Sequence, residues 1–179
     1  MHTGTRFIVT CALMLGATTV TARGQHSAMP PGMTHEDHLA QLQKDADLKK
    51  RGTAAMGFDQ DKTTHHFRLS RTGGAIEVTA NDPGDTVSRD QIRVHLQSIA
   101  AEFAGGDFGK PLATHAELPP GVRAMQQRLR ALAFRYEELD AGGRVRITGA
   151  DGKAVAAVHE FLRYQIREHA TGDSLDVSR

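Results

Sequence analysis

The chain has 179 residues, 39% of them hydrophobic and 24% charged, which supports one hydrophobic core and leaves little room for a second domain. Lys and Arg number 22 against 21 Asp and Glu, a formal net charge of +1, so the basic surplus of a nucleic-acid binder is missing. A single Cys and no Trp rule out a disulfide framework and indole-based recognition.

Residues 1–22 carry one charge, Arg6, then an apolar run from Phe7 to Ala17 and small residues at Val20 and Ala22. That order describes a secretory signal cleaved after Ala22. The run is too short to span a bilayer, so no integral membrane protein is expected after cleavage. Cys11 lies inside the run and would leave with it. The processed protein would then have no thiol in an oxidising compartment, periplasmic or extracellular. Its soft ligands would be Met and His alone.

Residues 23–33, with Pro30-Pro31-Gly32, read as a flexible leader to a domain over 34–175. Thr34 before His35-Glu36-Asp37 is an N-cap signal with acids in the first turn, and it predicts a helix from His35 to about Lys50, ending at Gly52. Thr64 to Leu69 and Ala75 to Ala80 alternate as strands around Gly73-Gly74. Thr86 to Ala104 then has apolar residues at Ile92, Leu96, Ile99 and Phe103, a helical spacing closed by Gly105-Gly106-Asp107. The grammar returns: Leu132 to Glu138, Gly142-Gly143, Arg144 to Thr148, and a helix carrying Val155, Val158, Leu162 and Ile166 that ends at Thr171-Gly172-Asp173.

Two ββα units, about 63–107 and 131–173, therefore read as a duplication. Their strands have one apolar face each, which predicts an α+β fold: a four-stranded antiparallel sheet with both helices on one face, plus the N-terminal helix. The segment 108–130 holds Pro111, Pro119 and Pro120 and reads as a long joining loop with a short helical stretch near Met125 to Leu129.

Met56-Gly-Phe-Asp-Gln-Asp-Lys-Thr-Thr-His-His-Phe67, Gly73-Gly74 with Ile76-Glu77-Val78, Leu118-Pro-Pro-Gly-Val122 and Phe161-Leu-Arg-Tyr-Gln-Ile-Arg-Glu-His169 resemble a group of small exported bacterial proteins, over about 33–175. Some members of that group carry the label aspartate carbamoyltransferase. Such a transferase is a larger two-domain protein with a Ser-Thr-Arg-Thr phosphate loop, for which Val87-Ser88-Arg89-Asp90 is no substitute. The resemblance implies export and the fold, and no particular activity.

Histidine is the enriched residue: ten in the chain, nine of them after Ala22. With no cysteine, imidazole is the natural ligand for Cu or Zn in an exported protein, and Met adds affinity for Cu(I). His35 and His38 lie three apart on one helix face. Met29 and Met33 precede them, and His66 faces the open side of the sheet, so these five form the candidate metal set. His65 belongs to the core side with Phe67. Arg68, Arg135, Arg144 and Arg146 should share the open sheet face with Glu77 and Glu137, and this Arg-rich platform suggests the alternative, a non-catalytic module for a small anion or an exported protein partner. His95, His159 and His169 read as packing or helix-end residues. His115 stands beside Glu117 with no spacing to interpret. No nucleophile, zinc-protease or phosphate-loop motif is present.

Overall fold

A computed structural model describes residues 32–178; the expected signal peptide, most of the leader and Met29 lie outside them. Helix α1 (His35–Met56) starts where the cap signal placed it: Thr34 Oγ1 accepts the Asp37 amide at 3.1 Å. It does not stop at Gly52. That glycine is buried against Gln60, leaving no room for a Cβ, and the helix runs on to Gly57, whose left-handed backbone closes it on Thr53. Only Leu48 and Gly52 of α1 are buried.

The first hairpin is β1 (Thr63–Ser70) and β2 (Gly73–Ala80), and the second is β3 (Leu132–Leu139) and β4 (Gly142–Gly149). The sheet order is β1-β2-β4-β3, antiparallel throughout. Helix α2 (Thr86–Ala104) follows the first hairpin and α5 (Gly152–Glu168) the second. This is the expected α+β arrangement of two ββα units. The joining segment is less loose than expected: it contains two short helices, α3 (Gly109–His115) and α4 (Val122–Gln127).

The paired glycines are not the hairpin turns that the sequence suggested. Register places Ser70 opposite Gly73 and Leu139 opposite Gly142, so the turns are Arg71-Thr72 and Asp140-Ala141 and the glycines open the returning strands. Their role is close approach. A Cβ on Gly74 would stand 2.3 Å from Leu162 Cδ1 of α5, and one on Gly143 would stand 3.2 Å from Leu96 Cδ1 of α2. Each glycine thus receives a leucine from the helix of the other unit. Helix α5 lies over β1 and β2, and α2 over β3 and β4; the units exchange helices. Ile92, Leu96, Phe103, Val145, Ile147, Val158 and Leu162, each at most 1% exposed, form the centre of the shared core.

The two glycines predict different penalties. A Cβ at Gly74 also meets the Arg68 carbonyl oxygen at 2.2 Å, whereas Gly143 meets side chains only, the nearest being Tyr136 at 2.8 Å. Gly74→Ala is expected to cost roughly 2–3 kcal/mol in urea unfolding and Gly143→Ala distinctly less, since backbone cannot yield as a ring can.

Candidate functional site

The exchange of helices carries the end of α5 to the edge of the first hairpin, and there the histidines meet. His65 is on the core face of β1, His95 on α2, His115 at the end of α3 and His169 just past α5. All four line one cavity of about 60 Å³, with Met56, Lys110 and Gln165 at its wall and Ile76, Val78 and Phe161 among its apolar lining. That volume suits a few atoms, about two waters' share of liquid. No Asp or Glu lines it.

The rings are arranged in a chain. His65 lies parallel to His169 with centroids 5.9 Å apart, and His115 meets His169 edge-on at 5.1 Å. Phe58 joins His65 at 5.9 Å to His95 at 5.5 Å. Gln165 Oε1 accepts from His115 Nε2 at 2.9 Å. With that assignment the free lone pair of His115 is on Nδ1. Lys110 is turned away, its Nζ donating to Ser98 at 2.7 Å and paired with Glu102.

Burial dominates the electrostatics. It pushes His65 down to about 4, assisted by His66, and His95 to about 4, assisted by the Lys110 ammonium and His65. His169 falls to about 3, again through burial, then His65 and His115. His115 is lowered by burial, against the opposing pull of its bond to Gln165 and of Glu168 and Glu117. At neutral pH these are uncharged imidazoles with lone pairs available.

Three buried polar atoms on this wall have no hydrogen-bond partner: His65 Nε2, His115 Nδ1 and Gln165 Nε2. Such groups are uncommon in folded proteins, because each forgoes its hydration without recovering a bond. All three belong to residues that line this one small cavity.

The described members of the metal set read from the sequence stand at two places in the fold. His35 is exposed and His38 half-buried in the first turn of α1, with Met33 half-buried just before it; Met29 lies outside the described residues. His66 Nδ1 is 2.8 Å from Asp173 Oδ1. Among the described residues no group of three or more His, Cys, Asp or Glu is disposed to hold a metal ion.

The open sheet face does collect the arginines, but with acids between them. Arg144 Nε donates to Glu77 at 2.8 Å and its Nη1 to Glu137 at 3.1 Å; Arg146 grips Glu137 through Nε and Nη2 at 2.7 and 3.0 Å. These bonds, that of Arg146 first, hold the Glu137 carboxyl down to about 2. Arg68 pairs with Asp173 at 3.1 Å. An incoming anion would have to displace these carboxylates. Only Arg135, exposed on β3, has no side-chain partner among the described residues.

The sequence marks His95 and His169 only as packing or helix-end residues and gives His115 no spacing to interpret. Their one visible signal was an excess of histidine with no local pattern, since they stand on separate elements. Comparison with protein-family models, with characterised proteins and with solved structures gives no match. No helix of the described residues is long and apolar enough to cross a membrane.

Depressed imidazoles predict an acid-sensitive fold. Above pH 6.5 the groups are neutral folded or unfolded, and their contribution is constant. As pH falls from 6.5 towards 4 the unfolded chain takes up protons that the cavity refuses, so stability drops, by up to about 1.4 kcal/mol per pH unit for each such histidine. Chemical denaturation between pH 7 and 4 should show this slope, and His169→Phe should make it shallower. The paired carboxylates act in a lower window, below their ordinary values near 4.

Proposed function

We propose that this is an exported metal-handling protein that holds one soft ion, Cu(I), in the histidine-lined cavity, rather than at the leader and the start of α1. The observation that carries the reading is the pair of unpartnered imidazole nitrogens, His65 Nε2 and His115 Nδ1, on the wall of a carboxylate-free cavity. Cu(I) accepts few ligands and favours imidazole and thioether donors. Met56 supplies a thioether in the same lining. Zn(II) asks for a tetrahedral set, ordinarily with at least three protein ligands, and no three-residue group of that kind is present among the described residues. Hard cations favour carboxylate oxygens, and no Asp or Glu lines this wall.

The neighbours suit that role. Gln165 Oε1 accepts a hydrogen bond from His115 Nε2 and so leaves the Nδ1 lone pair for use, the duty that outer-shell partners perform for ligating histidines. Burial keeps the imidazoles unprotonated, so the ion would not have to compete with protons at neutral pH. A monovalent ion also loses less hydration on entering an apolar site than a divalent one, because the desolvation cost rises steeply with charge.

Titration with Cu(I) against a coloured competing chelator, on protein recovered from the periplasm without an affinity tag, tests this. One equivalent should bind. His65→Ala with His115→Ala should weaken binding by at least about 100-fold, and Gln165→Leu by about 10–100-fold through the ligand tautomer. His35→Ala with His38→Ala should leave it unchanged. Binding that survives the cavity variants and disappears in the α1 pair would return the metal to the leader, and no Cu(I) binding at all would remove the metal reading.

A further inference from the structure

The sheet has two edge strands, and among the described residues only β1 is covered. On β1, Asp173 Oδ2 accepts the Phe67 amide at 2.9 Å, and the Ser178 amide donates to the Leu69 carbonyl at 3.0 Å. The Asp173 side chain is 4% exposed and also accepts from His66, Arg68 and Thr171. The tail after α5 thus occupies that edge, as native sheets commonly arrange for their outer strands. The matching position after α2 is Asp107. It turns instead to the Gly109 amide at 2.7 Å, and among the described residues the outer edge of β3 has no backbone partner.

Strand β3 is also unfinished on its core side. Leu132, Phe134 and Tyr136 are all only half-buried, whereas Val145 and Ile147 of the neighbouring β4 are fully covered. The buried Tyr136 hydroxyl has no hydrogen-bond partner among the described residues. On the other face Arg135 is the sheet guanidinium without a carboxylate, two residues from Glu137.

We infer that β3 pairs with β3 of a second copy of this chain, antiparallel about Tyr136, extending two four-stranded sheets into one of eight. This rests on the open edge and its charges, independently of the metal reading. Charge fixes the register. With Tyr136 at the two-fold axis, Arg135 stands opposite Glu137 of the second copy, and the symmetry makes that contact twice. Shifting the axis by one residue sets Arg135 against Arg135 or Glu137 against Glu137, which is unfavourable on either side. A carboxylate offers about four acceptor sites, and Arg144 and Arg146 use three at Glu137, so one remains for the incoming guanidinium. On the core face Tyr136 stands opposite its own counterpart and Phe134 opposite Glu138.

Light scattering over a concentration series, with oxidative cross-linking, tests the pairing. In a Cys11→Ser background, Tyr136→Cys should form a disulfide-linked dimer, and Val94→Cys, 70% exposed on α2, should not. Arg135→Glu, at an exposed site that the fold does not use, should weaken dimerisation about tenfold. A monomer at every concentration up to millimolar, cross-linking at Val94 equal to that at Tyr136, or a dimer indifferent to Arg135→Glu would each overturn the inference.

Discussion

The contact on which the rest depends is the seating of Leu162 on Gly74, matched by Leu96 over Gly143. A glycine in a strand weakens it locally, yet here it lets a helix approach the sheet more closely than any side chain would permit. Because the leucines come from opposite units, neither ββα unit completes its core alone. Helix α5 must cross to β1 and β2, and with it travel Gln165 and His169. The cavity is a by-product of that exchange: one wall comes from the first hairpin and α2, the other from the end of α5, and α3 closes it with His115.

Placing four imidazoles there has a cost. A neutral imidazole still has two polar nitrogens, and at His65 Nε2 and His115 Nδ1 the wall offers no partner among the described residues. His159 shows the ordinary solution: its Nε2 donates to the Ser70 carbonyl at 2.8 Å. In the cavity only His115 is anchored, by Gln165. The contrast between a satisfied histidine on the outer turn of α5 and unsatisfied ones beneath it argues for a ligand site over mere packing, since packing alone would be better served by Leu or Phe. The same choice makes the fold sensitive to acid, a liability that a purely structural core would avoid.

Much of the architecture was legible in the sequence, because it rests on local pattern. The Thr34 cap, the span of α2, the two hairpins and the opposite facings of His65 and His66 all follow from periodicity and capping within a few residues. The end of α1 was misplaced because glycine commonly stops helices, and Gln60, which fills the space beside Gly52, comes eight residues later. The cavity was not legible. His65, His95, His115 and His169 lie on four elements, and their meeting requires both the helix exchange and the fold of the 108–130 segment. His35 and His38 stood out because adjacency is the only proximity a sequence displays. The arginines of the open face were placed correctly, but their neutralisation needed the register that sets Glu77 opposite Arg144 and Glu137 opposite the same residue on its other side.

X-ray absorption at the copper edge, recorded on the Cu(I)-loaded protein at neutral pH, tests the central claim most directly. A first shell of two imidazole nitrogens with one sulfur, low in coordination number and free of oxygen, is the result expected from His65, His115 and Met56. A shell of four light atoms with oxygen among them would place the ion at the surface and contradict the account.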